Sequence, residues 1–99
     1  MRKAMDYVFT VDKEEILIEG LQKDTRASVI AAYAKCRKDK KLTQENLAQL
    51  SGISRPNITR FESGYYNPSL EMLVRIAAAM NMEVKLSLVP MEEKDETAV

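Results

Sequence analysis

Three blocks of helical periodicity follow one another between residues 43 and 81, each opened by a hydroxyl residue. Thr43 precedes QENLAQLS, which ends at Gly52; Ser54 precedes RPNITRFES, which ends at Gly64; Ser69 precedes LEMLVRIAAAMN. Such hydroxyls cap the free N–H groups of a first helical turn, and glycine readily takes the left-handed conformation that closes a last one. In the third block Leu70, Leu73, Ile76, Ala77 and Met80 fall on one face. Upstream, Val11-Asp12-Lys13-Glu14-Glu15-Ile16 has the form of a capping box with a hydrophobic staple. It predicts a helix to about Gln22 that buries Ile16, Leu17 and Leu21 and is weakened by Gly20. Thr25 then opens RASVIAAYAKCRKDK, with Ala27, Ile30, Ala31, Tyr33 and Ala34 suited to burial. After residue 81 the period falls to two. Met82, Val84, Leu86 and Leu88 alternate with Glu83, Lys85, Ser87 and Val89 as in a strand, and Pro90 stops it. DYVFTV, residues 6–11, is a weaker second strand candidate.

This pattern predicts a mainly α protein. Residues 1–24 form an N-terminal extension with a short helix, 25–81 a helical domain, 82–90 a closing strand and 91–99 an acidic, disordered tail. Within the domain, two short helices joined through a glycine make a helix-turn-helix. Ala48 is small where the two must approach, and Ile58 and Phe61 face inward, so Arg55, Asn57, Thr59 and Arg60 point elsewhere. Arginine can meet guanine, and asparagine adenine, through paired hydrogen bonds. Pro56 lies in a first turn, where a missing N–H costs nothing, and offers an apolar surface that fits a thymine methyl.

Charge sharpens that picture. The chain is formally neutral, yet residues 26–85 hold ten Lys or Arg against five Asp or Glu, so the middle is basic and both ends are acidic. Lys38, Lys40 and Lys41 crowd one helix end, where they either complement the helix dipole or neutralise phosphates. Cys36 is the sole cysteine, which excludes an internal disulfide and fits a reducing compartment. The chain contains no apolar run of membrane-spanning length and no signal-peptide pattern, so a cytoplasmic location is expected, with no membrane partner. It has no histidine, and Cys36 has no base to activate it, which argues against an enzyme. No cofactor or metal site is expected.

The stretch LTQENLAQLSGISRPNITRFESGYYNPSLEMLVRIA resembles the Cro/C1-type (Xre) helix-turn-helix family of bacterial regulators. The resemblance covers about residues 26–80 and implies a lambda-repressor-like bundle of five helices whose third enters the DNA major groove. It implies that Gln44 bonds a phosphate and braces the recognition helix, with Thr43 as a further backbone contact; Lys41, from the basic cluster, is a candidate beside them. Arg55, Pro56, Asn57 and Arg60 match the base-facing surface, with Thr59 a further DNA-binding candidate on the same helix, and Ser63, Tyr65 and Tyr66 the loop along the DNA backbone. Arg37 and Glu62 match a structural ion pair. Asn46 stands where the family usually has glutamate, which predicts a weaker start to that helix.

A lone strand beside a helical domain leaves backbone groups unpaired. The strand should pair with a second copy, another strand or a partner protein, or else pack on its own helices. Pairing of Val84, Leu86 and Leu88 across a homodimer is the reading taken, and it would set two recognition helices about 34 Å apart for a palindromic operator. The whole layout is similar to HigA-like and, next, HipB-like antitoxins. That likeness implies an autoregulating repressor that binds double-stranded DNA and a RelE-like toxin. The alternative is a stand-alone regulator of the same family.

Overall fold

The computed structural model describes residues 6–91. Two short strands, β1 (Tyr7–Phe9) and β2 (Glu15–Leu17), lead into four helices: α1 (Ile18–Asp39), α2 (Gln44–Ser51), α3 (Arg55–Ser63) and α4 (Leu70–Ala79). Apart from Met91, the acidic tail expected at 91–99 lies outside the described residues.

The last three helices stand where their caps place them. The side chains of Thr43, Ser54 and Ser69 accept from the backbone N–H of Asn46, Asn57 and Met72, respectively. Gly52 and Gly64 close α2 and α3 at φ of 74° and 83°. Asn46 corrects an expectation here. Its Oδ1 accepts from the Thr43 N–H at 3.0 Å while its own N–H donates to Thr43 Oγ1, so asparagine completes the capping box and the start of α2 is whole.

The N-terminal region departs from the sequence reading. The helix expected from Asp12 to Gln22 is replaced by a hairpin and the first turns of α1. Thr10 Oγ1 accepts from the N–H groups of both Asp12 and Glu14, and Lys13 takes φ 69°. This local turn uses the groups a capping box would need. It sets β1 antiparallel to β2 with Val8 opposite Ile16. Leu17 and Leu21, expected to be buried, are exposed. Helix α1 then runs unbroken for 22 residues through Thr25, because continued helix satisfies the N–H groups that a Thr25 cap would have served. The two helices predicted here are one, and the bundle has four helices among the described residues rather than five, since residues 82–90 after α4 form no further helix.

The core gathers Ile30 of α1, Leu47 and Ala48 of α2, Ile58 and Phe61 of α3, and Ile76 and Met80 from α4 and its cap. Ala27, Ala31 and Leu70 are exposed, contrary to expectation. Tyr33 packs edge-on against Phe61, centroids 5.3 Å apart, and its hydroxyl donates to the Leu73 carbonyl at 2.8 Å. Both α1 and α4 end with a non-glycine residue in the left-handed region, Lys41 at φ 57° and Asn81 at φ 59°. The paired turn bonds Leu42 N–H to Arg37 O and Lys41 N–H to Lys38 O close α1, and their counterparts at Met82 and Asn81 close α4.

Residues 82–90 pair with no strand among the described residues. Val84 is half-buried and lines a groove of about 240 Å³ with Tyr33, Cys36 and Met80, whereas Leu86 and Leu88 are 87% and 93% exposed. Among the described residues no helix is long and apolar enough to cross a membrane.

Candidate nucleic-acid interface

Helix α3 is built as a presenting element. Its inner side is fixed by Ile58 and Phe61, 0% and 1% exposed, against the core. Its outer side carries Arg55, Pro56, Asn57, Thr59 and Arg60, all exposed. The joint before it is three residues, Gly52 to Ser54, and is held from two directions. The Ile53 N–H donates to Ser51 Oγ, and Arg75 Nη1 reaches the Ser51 carbonyl from α4. Arg75 of α4 thus helps hold the joint between α2 and α3.

A hydrogen-bonded chain crosses from α1 to the outer side of α3. Arg37 holds the Glu62 carboxylate through Nε and Nη2 at 2.7 and 3.0 Å and gives a further bond to the Leu42 carbonyl. Gln44 Nε2 donates to Glu62 Oε1 at 3.1 Å, and Thr59 Oγ1 donates to Gln44 Oε1 at 2.9 Å. Burial alone would raise the Glu62 pKa. The hydrogen bonds from Arg37 and Gln44, with the charges of Arg37 and Lys38, outweigh it and hold the carboxyl below its ordinary range. The expected Arg37–Glu62 pair is present.

Gln44 and Thr59 are constrained by this chain. The Thr59 proton is committed to Gln44, which leaves its oxygen as an acceptor outward. Gln44 keeps one N–H free at the N-terminus of α2, beside exposed Thr43 and close to exposed Lys41. Arg55 lies 4.0 Å from Glu45 in an exposed pair that water and salt weaken.

The loop after α3 divides between core and solvent. Ser63 Oγ donates to the Arg60 carbonyl at 2.6 Å, and Tyr65 stands 90% exposed. Tyr66 turns the other way. It is half-buried, its hydroxyl donates to Met72 Sδ at 2.6 Å, and the Arg60 guanidinium lies 6.0 Å from its ring centre. Its ring thus faces the Arg60 guanidinium while its hydroxyl is engaged by Met72. Arg26, which sequence reasoning passed over, bonds the Gly64 carbonyl and Asn67 from α1.

Residues 34–86 match the helix-turn-helix family model, a span that contains all of α2, α3 and α4. The chain belongs to the helix-turn-helix family. It is 33% identical over 84 residues to an uncharacterized HTH-type transcriptional regulator of Haemophilus influenzae, covering 85% of this chain and 80% of that one. It is 42% identical over 50 residues to the uncharacterized HTH-type regulator YqaE of Bacillus subtilis, and 42% over 48 residues to the immunity repressor protein of Bacillus phage phi105. Those matches take in about half of this chain but only 43% and 33% of the two relatives. Among solved structures it resembles a chain of a toxin-antitoxin module from Streptococcus pneumoniae, with TM-score 0.56 and 27% identity over 85% of this chain and 84% of that one.

Proposed function

We propose that this helix-turn-helix protein is a sequence-specific DNA-binding repressor that acts as a homodimer on a palindromic operator. The observation that carries the reading is α3 itself, with two buried anchors beneath and Arg55, Asn57 and Arg60 exposed above. Arg55 and Arg60 suit guanine edges and Asn57 adenine. Pro56 meets a thymine methyl, while Lys41, Thr43, Gln44, Ser63 and Tyr65 fall where phosphates flank a helix in the major groove. The dimer draws on residues 82–90. An extended apolar segment with Leu86 and Leu88 in solvent gains its missing backbone partners by pairing with a second copy. A gel shift on the DNA upstream of the chain's own gene tests this reading, with retardation of a two-fold symmetric site expected. Equal binding to scrambled DNA contradicts it.

The likeness to a toxin-antitoxin module extends over 85% of the chain, beyond the helix-turn-helix, and favours a second role. In that role the protein is the antitoxin of an operon it represses, and it neutralises a RelE-like toxin encoded next door. Co-purification of the neighbouring gene product, with relief of its toxicity, is the expected result. A stable free chain beside a harmless neighbour leaves the stand-alone regulator.

A further inference from the structure

Arg26 and Arg37 stand eleven residues apart on α1, about three turns, so both guanidinium groups leave the helix on one side. Both hold the segment that follows the exposed face of α3. Arg37 takes Glu62, as described above. Arg26 donates through Nε to the Gly64 carbonyl at 2.9 Å and through Nη1 to Asn67 Oδ1 at 2.7 Å, 38 and 41 residues away in sequence. One planar fork thus ties both ends of a four-residue stretch, Gly64 to Asn67, to the scaffold helix.

Between those ties the two tyrosines go opposite ways. Tyr66 turns inward to Met72, whereas Tyr65 is 90% exposed. Its backbone N–H meets Ser63 Oγ at 3.4 Å, and its hydroxyl makes no hydrogen bond among the described residues. A loop pinned at two points presents such a side chain at one reach and direction, and ordering it beforehand spares that cost when a partner is met. Gly64 is at φ 83° as the cap of α3, so the tie to its carbonyl also fixes how the chain leaves the recognition helix.

We propose that Arg26, outside the helix-turn-helix, is a positioning residue for DNA binding that acts through Tyr65: it clamps Gly64 and Asn67 so that the Tyr65 hydroxyl meets a backbone phosphate. The inference rests on the DNA-binding reading above. Two of the five N–H groups of Arg26 are engaged by the loop, and its role is to hold that loop rather than to meet a phosphate itself.

The test is a double-mutant cycle on the duplex that the wild-type protein selects from a random-sequence pool. Arg26→Met keeps the stem and the helix propensity but removes the fork, and Tyr65→Phe removes only the hydroxyl. Each lowers affinity by about tenfold, the scale of one well-made hydrogen bond. In the Tyr65→Phe background Arg26→Met adds almost nothing, and the salt dependence equals that of Tyr65→Phe alone. Unchanged affinity for Arg26→Met overturns the proposal, as does a full further tenfold loss in the double variant. So does a salt slope that falls by about 0.9 when Arg26→Met is made in the Tyr65→Phe background, which makes Arg26 a phosphate contact itself. Asn67→Ala removes one tie without touching α1 and gives the same pattern, so the cycle decides even where Arg26→Met fails to fold. A wild-type protein that enriches no duplex refutes the DNA reading, a failure recognisable before any variant is made.

Discussion

Gln44 joins Glu62 to Thr59 with the two ends of one carboxamide, at 3.1 and 2.9 Å, so the start of α2 and the outer side of α3 move together. Behind it the Arg37–Glu62 pair is only 12% and 11% exposed at its two side chains. Breaking one partner of so enclosed a pair leaves the other charge uncompensated. Glu62→Ala is expected to destabilise the fold by about 3 kcal/mol in urea unfolding. Gln44→Ala, which leaves the ion pair in place, costs about 1 kcal/mol.

The same pair gives the fold a pH dependence. Glu62 is held below its ordinary pKa, so the folded state binds the proton less readily than the unfolded chain. Its contribution is fully present above the unfolded carboxylate value, near pH 4.5, and is lost as pH falls through the lower folded value. Between neutrality and pH 3, wild type should lose more stability than Glu62→Gln. Parallel stability curves for the two proteins would contradict the assignment.

The outward arginines should affect binding and leave folding alone. Arg55→Ala and Arg60→Ala are each expected to weaken binding to the selected duplex by about 1–3 kcal/mol and to relax preference at one base position. Their melting temperatures should stay near wild type, since both side chains are exposed. Fluorescence anisotropy at fixed salt, beside circular dichroism melts, checks both halves.

Gly20 lies inside α1, and a methyl group there meets nothing within 4 Å. Gly20→Ala should therefore stabilise the protein by about 1 kcal/mol, through the lower backbone entropy of the unfolded chain and better helix propensity. A shift of the urea midpoint with an unchanged slope is the expected signature.

Deleting residues 82–99 should leave the helical core folded, because only Val84 of that stretch is even half-buried among the described residues. The dimer fraction in sedimentation velocity should fall at the same time. Leu86→Asp with Leu88→Asp should do the same with the segment retained.

The three helices from residue 44 onward were legible because their limits are local. A hydroxyl at Thr43, Ser54 and Ser69 and a glycine at Gly52 and Gly64 act on backbone groups within a few positions. The N-terminal region was not legible because two local solutions compete there. Asp12 offers a cap, but Thr10 captures the N–H groups of Asp12 and Glu14 and turns the chain into a hairpin. Thr25 looks like a helix start, yet a helix arriving from Ile18 has no need of one. In the interface, the residue types on α3 could be read directly. The double engagement of Gln44, the inward turn of Tyr66 and the reach of Arg26 depend on elements 6 to 41 residues apart, and no spacing rule contains them.

The unbroken run of α1 from the hairpin to Arg37 makes its length a phase setting. One residue inserted between Gly20 and Thr25 would turn the hairpin about 100° around the helix axis, and carry it about 1.5 Å along, relative to the two arginines that hold α3. Whatever meets the hairpin therefore finds it at an azimuth dictated by residue count, and relatives that differ there by a single position would face that side differently while keeping the same recognition helix.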